Sequence, residues 1–125
     1  MDEINYFTLP GLRPFDNPLF SFNYMKNEIL NALIYSTHTY TGKKYTVQQV
    51  HGKSRLRDLV IIRQVLCYTL KTLFPKVTLN YIGHSLNYKD HTIVIHGINK
   101  LKDLIEVEDP HVMHIYNYLK FKRLI

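Results

Sequence analysis

The sequence predicts an all-α fold, a bundle of about six helices with an extended N-terminal arm. Three observations predict it. Apolar residues recur at helical spacing along most of the chain. No segment of useful length alternates with a period of two, and no internal repeat is present. Capping residues and prolines fall between the periodic segments. With 125 residues, 46% of them hydrophobic, the chain holds one core and folds as a globule, with no length left for a second catalytic lobe.

Residues 1–21 read as the arm, because Pro10, Pro14 and Pro18 remove backbone donors and restrict the residues before them. The arm also carries Leu12, Phe15, Leu19 and Phe20, more apolar surface than a free linker needs. It either packs back on the domain or docks on another protein. Helical periodicity begins near Ser21 or Asn23 and runs to Thr39, with Ile29, Leu33 and Tyr40 or Ile34 on one face. Thr41-Gly42-Lys43-Lys44 is a break, and a short helical turn over Thr46–His51 stops at Gly52.

The clearest helix runs from Ser54, a good N-cap, to Phe74, where Pro75 ends it. Leu59, Leu66, Leu70 and Leu73 form its core stripe, and Arg63 falls inside that stripe. Taken locally, Arg63 is a snorkelling side chain or a partner of Asp58 or Asp90. Thr78 caps the next segment, Leu79–Leu86, with Ile82 and Leu86 buried. Asn87-Tyr88-Lys89 interrupts it, and Asn87 tolerates a left-handed turn. Asp90 caps a longer helix to Glu106, with Val94, Ile98, Leu101 and Ile105 on its core face. Asp109 at the N-cap and Pro110 at the first helical position open a last helix carrying Val112, Ile115, Tyr116 and Leu119.

The formal net charge of +6 is compatible with a polyanionic partner, although folded domains also reach it by drift. The single cysteine, Cys67, allows no intrachain disulfide and suits a reducing compartment. The acidic start Met1-Asp2-Glu3 is unlike a signal peptide, and no stretch reaches the roughly 20 apolar residues of a membrane span. A cytoplasmic, nucleoid-associated protein is expected, without contact to a membrane.

A short helix, a tight turn and a longer amphipathic helix outline a helix-turn-helix. The second helix sharpens that outline. Opposite its core stripe lie Thr92, His96 and Asn99, with Lys89 and Lys100 close by. Thr92 offers a methyl for thymine and a hydroxyl, His91 or His96 donates or accepts, and Asp90 accepts from cytosine. An ordinary solvated helix face has the same composition.

The residues Ser54-Arg55-x-Arg57-Asp58-Leu59-Val60-x-x-Arg63-Gln64, then Thr78-Leu79-x-x-Ile82-Gly83, then Lys89-Asp90-His91-Thr92-x-Val94-x-His96 carry a resemblance. Their order and spacing over residues 24–106 resemble the C-terminal DNA-binding domain of the DnaA family of bacterial replication initiators. The resemblance implies that Lys89, Asp90, His91 and Thr92 begin a recognition helix that touches bases in the major groove. It implies that Arg63 reaches into the minor groove and that Gly52-Lys53-Ser54-Arg55 is a basic loop on phosphates. The helix starts at Thr78 and Asp90 would add backbone amides, with Leu79, Arg57 and His96 completing the DNA-facing set. Three positions depart from the family pattern. Asn87-Tyr88 stands where Gly-Gly is usual, Ile93 where a second threonine is usual, and Tyr81 where a glutamate is common.

Other chemistry finds little support. Gly52-Lys53-Ser54 looks like the end of a Walker A loop, but Val47 occupies the position of its first glycine, so no nucleotide site is expected. His111 and His114 share a helix face but lack a cysteine pair, so no metal is expected. Cys67 has no nearby base to make it a nucleophile. The reading is a Trp-repressor-like helix-turn-helix domain over residues 22–125, not an enzyme, without cofactor. It binds double-stranded DNA in replication initiation or its regulation, as a stand-alone, phage-encoded or mobile-element-encoded relative of the initiator. The rivals are a module that docks a replication protein through residues 1–21 or the C-terminal helix, and a repressor that dimerises through that helix.

Overall fold

The computed structural model describes residues 18–125 and contains six helices: α1 (Pro18–Thr41), α2 (Val47–His51), α3 (Arg57–Leu73), α4 (Leu79–Ser85), α5 (His91–Glu106) and α6 (Pro110–Phe121). No strand occurs among the described residues. The all-α expectation holds, and most boundaries fall within a residue or two of those read from periodicity.

α1 begins earlier than expected. Residues 18–21, assigned above to the arm, belong to the helix. Proline costs little in a first helical turn, where its missing N–H has no partner to lose. The remainder of the proposed arm, residues 1–17, lies outside the described residues. α1 ends at Gly42, whose φ of +80° is a backbone conformation that suits glycine.

α1 packs against both α3 and α6, and α5 lies across α3 with α4 against it. Phe22 anchors the start of α1 by edge-on contacts with Phe74 and Tyr81, at centroid distances of 5.5 and 5.0 Å. Ile29, Leu30 and Leu33 of α1 are buried with Leu59, Leu66 and Leu70 of α3. Val94 and Leu101 of α5 and Val112, Ile115 and Leu119 of α6 complete the core. Each such side chain contributes about 1.5–3 kcal/mol on burial. Two residues expected in the core are not in it: Leu73 is 37% exposed at the frayed end of α3, and Tyr40 is exposed where it stacks on His111.

The helix-turn-helix is α4, the turn and α5. The Thr78 hydroxyl accepts from the Tyr81 amide, and the Asp90 carboxylate accepts from the Thr92 amide, so both expected caps are made. Asn87 has φ 62°, the left-handed turn residue that the sequence suggested. Gly83 lets the two helices approach: a Cβ there would stand 3.3 Å from Val94 Cγ2 and 3.6 Å from Tyr88 Cβ. At α6, Asp109 accepts from the Val112 amide and Pro110 follows it, as expected.

Ser54 does not cap α3, which starts at Arg57 with no side-chain cap. The reason lies in Arg63. Its guanidinium takes the Ser54 carbonyl, which holds residues 52–56 in an open loop ahead of the helix.

Candidate nucleic-acid interface

Arg63 comes one helical turn after Leu59 on the inner side of α3 and is only 6% exposed. Its Nε donates to the Val50 carbonyl at 2.6 Å, one terminal nitrogen to the Gln49 carbonyl at 2.9 Å, and the other to the Ser54 carbonyl. Arg63 pairs with neither Asp58 nor Asp90, which corrects that part of the local reading, and its guanidinium lines the groove beside α5 while held by these carbonyls. Three carbonyls converge on it, that of Gln49 also accepting from the Gly52 amide at 3.1 Å, and a guanidinium is the side chain with donors in a matching fork.

The consequence is a fixed basic loop. α2 is framed by a capping box, in which Thr46 accepts from the Gln49 amide and Gln49 accepts from the Thr46 amide. Lys26 of α1 donates to His51 Nε2 at 2.9 Å and to the Ser85 carbonyl, which ties α1, α2 and α4 together. Because the lysine donates, His51 Nε2 accepts, and Nδ1 donates to the Val47 carbonyl at 2.9 Å. Burial lowers the Lys26 pKa from its ordinary value.

Lys53, Ser54 and Arg55 stand exposed on the loop so held. Facing them across an open groove of 890 Å³ are Lys89 of the turn and the polar side of α5, with His96 and Lys100. His91 and Thr92 are exposed on the first turn of α5, and Asp90 is exposed at its cap. The Thr92 amide bond holds the Asp90 carboxyl below the usual carboxylate range. His91 Nδ1 lies 3.3 Å from Asp90 Oδ1. Tyr88 forms part of the groove floor, and burial pushes its phenol up to about 12, so it stays neutral.

The structure therefore brings together Lys53, Ser54, Arg55, Arg63, Lys89 and His96, with Asp90, His91 and Thr92 beside them. Three predicted residues sit elsewhere. Arg57 is paired with Asp109 at 2.7 Å, next to the start of α6. Thr78 and Leu79 do not line the groove, and Leu79 packs partly against the core. Sequence reasoning left Lys100, Gln64, Tyr88 and Ile93 out of the site although all four line the groove. Lys100 carried a signal, since it follows His96 by four residues on one helix face.

The paired histidines are structural. His111 is buried, hydrogen-bonded through Nε2 to Thr37 Oγ1 at 3.2 Å, and His114 Nε2 meets Thr39 Oγ1 at 2.9 Å. Tyr40 stacks on His111 at a centroid distance of 5.0 Å. Among the described residues no group of histidines, cysteines and carboxylates is placed to hold a metal, and no helix is long and apolar enough to cross a membrane.

A capped short helix, a left-handed turn and a longer helix whose polar face meets a fixed basic loop define a DNA-binding helix-turn-helix domain. The chain belongs to the family described as the bacterial dnaA protein helix-turn-helix, whose model matches residues 34–101, more than half of its length. The chromosomal replication initiator protein DnaA of Oenococcus oeni is 40% identical over 63 residues, which are 50% of this chain and 14% of that protein. The chain thus spans a small part of the length of that relative. No solved structure matches it.

Proposed function

We propose that this domain binds double-stranded DNA with a sequence preference and serves the initiation of replication or its regulation. The observation that carries this reading is the groove between the basic loop and α5, where Lys53, Arg55, Lys89 and Lys100 converge from two elements around exposed hydrogen-bonding groups. In the proposed complex these cations meet phosphates on both sides of a major groove. The first turn of α5 then presents His91, Thr92 and the free oxygen of Asp90 to base edges, with His96 one turn on. Thr78 and Leu79 would meet a phosphate only at the margin of such a complex. The exposed apolar end of α6, where Phe121 is 79% exposed, is the surface that a protein partner would use in addition.

Selection from a random duplex pool tests the reading. A base motif should be enriched, and Thr92→Ala or His91→Ala should cost about 1–3 kcal/mol at particular base pairs of it. Lys53→Ala should weaken selected and scrambled duplexes alike. The reading fails if no motif is enriched and the three variants cannot be told apart.

A further inference from the structure

Ile93 is 45% exposed, and it is the one apolar side chain of α5 that stands in solvent. Val94 and Leu101 are buried, and Ile98, Leu104 and Ile105 pack partly against the core. Ile93 lies three residues past the Asp90 cap, in the first turn, and lines the groove with Lys53, Lys89, His96 and Lys100. Those four neighbours carry hydrogen-bond donors suited to phosphates or base-edge acceptors. An isoleucine meets neither.

The major-groove edge of a base pair offers one apolar group, the 5-methyl of thymine. A β-branched side chain in a helix is held near one χ1 rotamer, so its methyls are presented in one place without further ordering. We propose that Ile93 reads a pyrimidine 5-methyl group and makes this chain prefer thymine at the base pair facing the first turn of α5. The inference rests on duplex binding through α5 as proposed above and adds a specificity-determining residue to it.

Covering about one methyl-sized increment of apolar surface corresponds to roughly a three- to five-fold change in affinity. The experiment uses the full chain and two random duplex pools, one containing thymine and one containing uracil in its place. In the thymine pool one motif position should be a fixed thymine. In the uracil pool that position should lose its preference while the remaining positions keep theirs. Replacing that one thymine by uracil in the selected duplex should weaken the wild-type chain by about three- to five-fold. The Ile93→Ser chain should bind both duplexes equally, and Ile93→Val should restore the discrimination. Ile93 is outside the core, so an unchanged melting temperature for both variants accompanies the result. A wild-type chain indifferent to uracil at every thymine of an enriched motif overturns the role of Ile93 and leaves duplex recognition standing. Failure to enrich a motif from either pool removes duplex recognition, and this role with it.

Discussion

At the scale of single residues, Arg63 has the most to lose. Its removal takes a donor from the carbonyls of Gln49, Val50 and Ser54, of which that of Val50 is buried. Arg63→Ala should lower stability by about 2–4 kcal/mol and weaken binding to all duplexes together, because the loop that presents Lys53 and Arg55 loses its frame. Arg63→Lys should recover little, since one ammonium cannot serve a three-way fork. The checks are thermal unfolding and affinities for A·T-rich and G·C-rich duplexes. An unchanged melting temperature with loss confined to A·T-rich sites would show Arg63 acting as a groove probe instead. His111 gives a pH signature. It is buried with Nδ1 unpartnered, 3.8 Å from Asp58 Oδ1, and burial lowers its pKa from the ordinary 6.5 despite the opposing pull of Asp58. Arg57 and His114 disfavour its protonation further, while Asp109 favours it. The unfolded chain therefore takes up a proton that the folded chain refuses. The stability contribution of neutral His111 is complete above 6.5 and is lost as pH falls below that value toward the lower folded one. Melting temperatures measured from neutral pH to about pH 5 should fall, and less steeply in His111→Gln.

At the scale of elements, the helix-turn-helix depends on one backbone conformation. Asn87 at φ 62° turns the chain between α4 and α5, and its side-chain amide also reaches the His51 carbonyl at 3.4 Å. A glycine adopts this conformation without steric cost, whereas a β-branched residue does not. Asn87→Gly should leave denaturant stability within about 0.5 kcal/mol, and Asn87→Val should cost about 1–2 kcal/mol. The valine variant should also lose duplex affinity, since tilting α5 moves His91 and Thr92 relative to the loop. Equal stabilities for the two would mean that the turn is set by packing at Gly83 rather than by Asn87.

At the scale of the whole molecule, charge placement matters more than the net charge of +6. Of the cations expected to face phosphate, Arg57 is tied to Asp109, while Lys53, Arg55 and Lys89 share the groove, where Lys100 joins them. Four phosphate contacts imply a slope of log affinity against log salt of about −3 to −4. Titration with salt checks this, and a flat response would place the cations off the duplex. Lys100→Ala should reduce the slope by about one unit, as Lys53→Ala should.

The sequence by itself determined the helices and their ends, because caps and periodicity act over a few residues. Thr78, Asn87, Asp90 and Asp109-Pro110 needed no distant partner to be read correctly. It also determined the family, through three motifs that fall in and before α3, α4 and α5. Direction of side chains across elements was a different matter. Arg63 falls in the core stripe of α3 by spacing, yet whether it turned inward or outward depended on carbonyls of residues 49, 50 and 54 that only the folded α2 and its loop bring there. The false N-cap at Ser54 has the same origin, because a carbonyl held by a guanidinium is not free to start a helix. Arg57 likewise read as a phosphate contact until Asp109, 52 residues on, arrived beside it. Local rules fix backbone conformation, and tertiary structure decided which cations gained a partner within the fold, since an ion or hydrogen-bond partner distant in sequence leaves no trace in local spacing.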